Sequence, residues 1–189
     1  VSRVYGLLLH HAADLFSSNG ERLLSVLRGF RDEGLVENIG VSIYHEVDVD
    51  LLLARYRDIN IVQAPVNVLD QRLITGGHIE RLAQSGIKVH ARSPFLQGLL
   101  LIESEKMLPS SLSRLRPFIR RWRSSLKESF LSPAEGAIGF LKSVCGVDAI
   151  IAGVTTLAEL DELVKAFASA PNFLKFDLAC DDPSLIDPS

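Results

Sequence analysis

The chain has 189 residues, 47% of them hydrophobic and 23% charged, with a formal net charge of −3. That balance excludes nucleic acid as the main partner, because duplex binding needs a basic surface. No apolar run reaches the roughly 20 residues that span a bilayer, so no membrane partner is expected. Val1-Ser2-Arg3-Val4 lacks the charged and apolar regions of a secretory signal. Cys145 and Cys180 lie in neither a CxxC pair nor a Cys/His cluster. They read as buried or incidental thiols, no metal site is expected, and the simplest location is the cytoplasm.

In chain order, Val4-Tyr5-Gly6-Leu7-Leu8-Leu9 is a continuous apolar run ending in His10 and His11, as in a strand buried on both faces. Leu23, Leu24, Leu27 and Phe30 are spaced for one side of a helix that stops at Gly34. Ile39–Ile43 predicts a second strand, Val47–Tyr56 a helix, and Ile59–Val66 a third strand. A helix around Ile79, Leu82 and Ala83 should stop at Gly86, and Ile87–Ala91 gives a fourth strand. After a long connection from Ser93 to Pro109, Leu115, Phe118, Ile119, Trp122 and Leu126 recur at helical spacing among several arginines. Those arginines read as a solvated helix face rather than an anion site. Ser132-Pro133-x-Glu135 spells a capping box with proline at the first helical position. Ala149–Ala152 predicts a fifth strand, and Thr156-x-x-Glu159 opens a last helix with a second capping box. Beyond Pro171 the composition is that of a loop, ending in Asp187-Pro188 as a surface tail.

Strands alternating with helices imply parallel βα units, because a parallel crossover needs about a dozen residues. Such a run can close as a barrel or stay open as a doubly wound sheet, and periodicity does not choose between them. The first strand begins almost at residue 1, so the chain reads as starting in mid-architecture. The expected organisation is one domain over 1–189 with a tail over 172–189.

Motifs at the strand ends carry more information. Leu7-Leu8-Leu9-His10 is followed by Glu33-Gly34-Leu35-Val36-Glu37-Asn38-Ile39-Gly40-Val41-Ser42. Val62-Gln63-Ala64-Pro65-Val66-Asn67 and Ala91-Arg92-Ser93-Pro94-Phe95-Leu96-Gln97-Gly98-Leu99-Leu100 come next. Ser132-Pro133 and Gly146–Val154 close the series. In this order the segments resemble the aldo-keto reductase family over nearly the whole chain. The resemblance implies an α/β fold, a parallel (β/α) barrel of the TIM type, with about five of its eight units present, as strands four to eight. It also implies NADP bound in an extended pose without a GxGxxG fingerprint, and none is found here. NAD is the alternative cofactor. The family's aspartate, catalytic tyrosine and lysine come from strands one to three, and no position in this sequence matches them. Tyr5, inside the first strand, is no substitute.

By that resemblance His10 hydrogen-bonds the substrate carbonyl and orients the proton donor, a task suited to imidazole. On spacing alone it would be structural, as His11 is by strand alternation. Ser42 and Gln63 would hydrogen-bond the nicotinamide carboxamide, although Ile43 stands where the family usually has asparagine. Arg92 occupies the place of an aromatic residue under the nicotinamide ring, and a guanidinium can stack there. Ser93, Phe95, Gln97 and Gly98 would form the loop near the pyrophosphate, against the plain reading of an ordinary βα loop. Gly153 and Thr155 would begin the last helix beside the adenosine phosphate. Glu159 stands where the family often has glutamine or arginine, and serves best as the capping partner of Thr156.

Two functions compete. One is an NADP-dependent oxidoreductase that moves a hydride between nicotinamide and a small carbonyl or alcohol substrate, impaired in these residues alone. The other is a non-catalytic half-barrel acting as a binding or interaction module, self-associating through uncovered strand edges.

Overall fold

Five short runs rich in apolar residues become strands: β1 (Val4–Leu9), β2 (Val36–Ser42), β3 (Ile61–Pro65), β4 (Lys88–Arg92) and β5 (Val147–Ile151). They form one sheet in the order β1-β2-β3-β4-β5. Pairing is parallel, with Val4 opposite Val36, Leu9 opposite Val41 and Ser42 opposite Gln63. The crossovers are α1 (Ala12–Phe16), α2 (Gly20–Asp32), α3 (Glu46–Arg55), α4 (Arg72–Thr75), α5 (His78–Gln84), α6 (Arg116–Glu128) and α7 (Pro133–Lys142). After β5 come α8 (Leu157–Ser169) and the single turn α9 (Pro183–Ile186). This is the parallel α/β arrangement expected from the alternation. The computed structural model describes residues 2–172 and 175–186. Asp187-Pro188 of the expected tail lies outside the described residues.

One compact unit takes in the chain up to Pro65, Leu73–His90 and Gly146–Ala149. Its interior is set by β2, where Val36, Ile39, Val41 and Ser42 are buried, as in a strand covered on both faces. β1 departs from expectation, since Val4 and Tyr5 are half exposed and no residue of the strand is fully buried. The sheet order makes it a terminal strand, paired with β2 among the described residues. Two amides, the buried Asn38 and the half-buried Asn60, link the first three strands. Asn38 Nδ2 donates to the Tyr5 carbonyl at 2.8 Å, and Asn60 Nδ2 donates to Asn38 Oδ1 at 3.1 Å. The expected glycine stops are real. Gly34 and Gly86 have φ of 74° and 75°, which side-chain-bearing residues adopt only with strain. The Leu35 and Ile87 N–H groups then close each helix by donating to Phe30 and Leu82 carbonyls at 3.0 Å.

The other unit takes in Val66–Arg72, Ala91–Cys145 and the chain from Ile150 onward. The helical spacing around Trp122 holds, with Ile119, Trp122 and Leu126 buried on one side of α6. Trp122 Nε1 donates to the Leu100 carbonyl at 2.9 Å. Two arginines of this helix make outward contacts: Arg120 with Glu105 at 3.2 Å, and Arg121 with the Asp177 carbonyl at 2.7 Å. α7 is buried along almost its whole length.

The segment after Pro171 is not the surface tail its composition suggests. Phe176, Leu178 and Cys180 are buried at alternate positions, and Phe176 meets Trp122 edge-on with ring centroids 4.9 Å apart. The Cys180 N–H donates to the Leu69 carbonyl at 2.9 Å, and Gln71 Nε2 donates to the Phe176 carbonyl at 3.1 Å. Leu185 and Ile186 of α9 are buried as well. Burial raises the pKa of the Cys180 thiol, whereas Cys145 is exposed.

Candidate functional site

β4 ends at Arg92, and the residues that follow take an unusual backbone path. Ser93, Leu96 and Gln97 have φ of 58°, 46° and 54°, and Gly98 has 87°. The left-handed region costs a residue with a side chain about 1–2 kcal/mol, so surrounding structure must hold the loop. The Leu96 N–H donates to the Ser93 carbonyl at 3.1 Å, and Gly98 and Leu100 N–H groups donate to the Phe95 carbonyl at 2.9 and 3.1 Å. Asn67, 1% exposed, holds the loop from behind. Its Nδ2 donates to the Ser93 carbonyl at 3.2 Å while its Oδ1 accepts from Leu69 and Asp70 N–H at 2.9 and 3.0 Å. Asp70, equally buried, makes a two-pronged ion pair with Arg72 at 2.9 Å. The sequence motifs give Asn67 no role of its own. Its signal was an amide ending an apolar strand, where burial obliges it to find partners.

The loop faces a cleft of about 580 Å³, within the usual range for small-ligand sites. Ser93, Phe95, Gln97 and Gly98 line it together with Gly153, Thr155 and Glu159. Residues singled out far apart in the chain therefore meet in one place. Phe95, Leu101, Ala134, Ala152 and Leu163 supply an apolar surface, and Glu162 joins Glu159 in the lining. A smaller cleft of about 260 Å³ shares Phe95, Ala152 and Leu163 and adds Ile138, Val164 and Phe167. Arg92 is not in either lining; its Nη1 donates to Ser93 Oγ at 3.4 Å. Gly98 is required by its φ, whereas a Cβ at Gly153 would meet nothing within 4 Å.

The start of α8 differs from its expected capping box. Thr156 caps the helix, its Oγ1 accepting from the Glu159 N–H at 3.2 Å. The Glu159 carboxylate, however, reaches one residue further back. It accepts from the Thr155 N–H at 2.6 Å and from Thr155 Oγ1 at 3.1–3.2 Å. The backbone N–H and then the hydroxyl of Thr155 hold this carboxyl below the usual glutamate range. Among the described residues the cleft lining contains no lysine, arginine or histidine, and its charged members are Glu159 and Glu162.

His10, Ser42 and Gln63 belong to the other unit. Ser42 is the last residue of β2, buried, and opposite Gln63 of β3. His10 follows β1 directly and is exposed. Strand alternation does not separate it from His11, because β1 ends at Leu9. The two imidazoles meet edge to face at 4.3 Å between centroids, and His11 stacks on Tyr44 at 5.9 Å. The C-terminal strand ends thus carry a row of two histidines and a phenol that spacing alone did not reveal.

A second titratable group lies at the opposite ends of the strands. Lys88 Nζ donates to Tyr5 Oη at 2.9 Å, and Tyr5 stacks on His90 at 6.1 Å. The Tyr5 hydroxyl raises the Lys88 pKa, and burial lowers that of His90. In βα barrels chemistry is kept at the C-terminal strand ends, so this group belongs to the scaffold.

Comparison with known proteins fits this arrangement. The profile described as the aldo/keto reductase family matches residues 6–173, and the chain belongs to that family. The chain is similar to the aldo-keto reductase AKR11C1 from Bacillus halodurans in its holo form, at 19% identity and a TM-score of 0.66 over 98% of this chain and 60% of that one. The apo form gives 18% identity and 0.69 over 100% and 62%. The thermostable aldo-keto reductase Tm1743, solved with the inhibitor epalrestat, gives 19% identity and 0.64 over 94% and 57%. At such identities the likeness establishes the fold, that of the βα-barrel reductases. The chain spans about three fifths of the length of these structures. Comparison with curated proteins finds no match. Among the described residues no group of three or more histidine, cysteine or acidic side chains could hold a metal ion. No helix among them is long and apolar enough to cross a membrane.

Proposed function

We propose that this chain carries the nucleotide-binding part of a nicotinamide-dependent oxidoreductase acting on a small carbonyl or alcohol. The strongest support is that Ser93, Phe95, Gln97, Gly98, Gly153, Thr155 and Glu159 line one cleft in a member of the aldo/keto reductase family. Phe95 and its apolar neighbours offer a wall to a flat ring, while Ser93 and Gln97 offer hydroxyl and amide groups to a polar ligand. The resemblance implies NADP, with NAD as the alternative. A bound nicotinamide supplies the hydride chemistry. The resemblance would assign Ser42 and Gln63 to the nicotinamide carboxamide, Arg92 to its ring, and an N–H of His10 to the substrate carbonyl. The proposed location is the cytoplasm, where Cys145 and Cys180 stay reduced.

The test is a fluorescence titration with NADH and NADPH beside turnover of a reactive aromatic aldehyde. Binding is expected to saturate. Turnover should fall about 10²–10⁴-fold below a complete family member, because no residue here matches the tyrosine and lysine assigned to proton donation. Turnover at the full rate would move the donor role to His11 or Tyr44. Absence of saturable binding would remove the cofactor reading.

The reading as an interaction module draws on a different observation. Leu157, Leu160, Val164 and Phe167 form an exposed apolar row along α8, a surface of the kind that drives self-association. Sedimentation that shifts from monomer to dimer with concentration would support it, and a monomer at all concentrations would not.

A further inference from the structure

We infer that the larger cleft selects a dinucleotide whose ribose hydroxyls are unphosphorylated, of the NAD type, and that Glu159 makes the selection. This rests on the reading that the cleft holds a nicotinamide dinucleotide. The first N–H groups of a helix ordinarily lack partners and attract anions such as phosphate. Beside those groups of α8 an internal anion already stands, bound at Thr155, the residue before the Thr156 cap. Glu159 accepts the Thr155 N–H at 2.6 Å, and its two oxygens share the Thr155 hydroxyl at 3.2 and 3.1 Å.

Charge in the rest of the lining points the same way. Glu162 lies one turn further along α8, and among the described residues no cationic side chain lines the cleft to offset the two carboxylates. A phosphomonoester carries about −1.5 to −2 charges at neutral pH, so a 2′-phosphate brought here meets only like charge. A ribose hydroxyl meets the opposite situation. A carboxylate has about four lone-pair sites. The Thr155 N–H and hydroxyl fill two, leaving acceptors for a hydroxyl donor. Dinucleotide sites of unrelated fold use an acidic side chain on the ribose 2′-hydroxyl in the same way, and a basic one on the 2′-phosphate.

The experiment titrates the full chain with NADH and with NADPH, following nucleotide fluorescence at low and at moderate salt. NADH is expected to bind at least about tenfold more tightly at low salt, with the ratio shrinking as salt screens the carboxylates. E159Q and E162Q should each narrow the ratio, chiefly by tightening NADPH. Glu162 is exposed on α8 and lines the cleft, so E162Q carries the test if E159Q fails to fold. NADPH binding at least as tightly as NADH would overturn the inference and leave the cofactor reading standing. So would a ratio indifferent to the substitutions. Failure of both nucleotides to bind would overturn the cofactor reading and this inference with it.

Discussion

α7 and α8 begin with the same spelling, a hydroxyl residue followed three positions later by glutamate, yet the two glutamates do different things. Glu135 closes a complete capping box, accepting the Ser132 N–H at 2.9 Å, and takes a further hydrogen bond from Ser169 Oγ at 2.7 Å. Glu159 passes over its own cap and takes Thr155, at the edge of a cleft. The helices behind them differ as well. α7 is buried along most of its length, while Ala166 is the buried residue of α8. A helix held by its packing can devote its first turn to stability; one lying over a cleft has side chains left for a ligand.

The contrast is open to substitution. The largest effect is expected at Gly136, where a Cβ would lie 2.4 Å from Leu126 Cδ2 and 2.7 Å from Trp122 Cη2. Gly136→Val should cost about 1–3 kcal/mol by overpacking, whereas Val164→Ala on the exposed face of α8 should stay within about 0.5 kcal/mol. Equal losses in thermal unfolding would break the contrast. Ser132→Ala and Thr156→Ala should each cost about 1 kcal/mol through loss of a cap, but only Thr156→Ala should alter dinucleotide affinity.

A pH series sharpens the difference further. The Ser132 N–H, then the Ser169 hydroxyl, hold the Glu135 carboxyl below its ordinary value of 4.5. A depressed folded-state pKa gives stability that is complete above the ordinary value and lost as pH falls through the lowered one. The melting temperature of the wild type should therefore exceed that of Glu135→Gln by a constant margin from neutral pH down to about 5. The margin should close in more acid solution. A margin that widened on acidification would contradict the assignment. A small effect of the opposite sign is expected at Phe130, 95% exposed with φ of 57° at the end of α6. Phe130→Gly relieves left-handed strain of about 1–2 kcal/mol and gives back part of it in chain entropy, for a net gain under about 1 kcal/mol.

How much of this was legible depended on whether a residue's neighbours in sequence are also its neighbours in space. Gly34 and Gly86 stop helices through contacts with residues three to five positions earlier, and both were readable. The two caps were readable for the same reason. α1 and α4, with 5 and 4 residues, are too short to show a period, and both were missed. Phe176, Leu178 and Cys180 alternate as a strand would, but they are buried by Trp122, Leu69 and Gln71, far away in the chain. Prolines and aspartates nearby made them read as a tail. At the site, the loop and helix start were legible as motifs. The path of the Glu159 carboxylate was not, because a capping box and a reach to Thr155 share one spacing. Asn67 was passed over because its Ser93 contact spans 26 positions.

The most direct test of the account is to map the backbone amide signals of the chain while NAD⁺ is added. The account predicts that the shifts concentrate at Ser93–Gly98 and Gly153–Glu159, with Gly34 and Gly86 unmoved. Shifts confined to other parts of the chain, or none at saturating nucleotide, would contradict it.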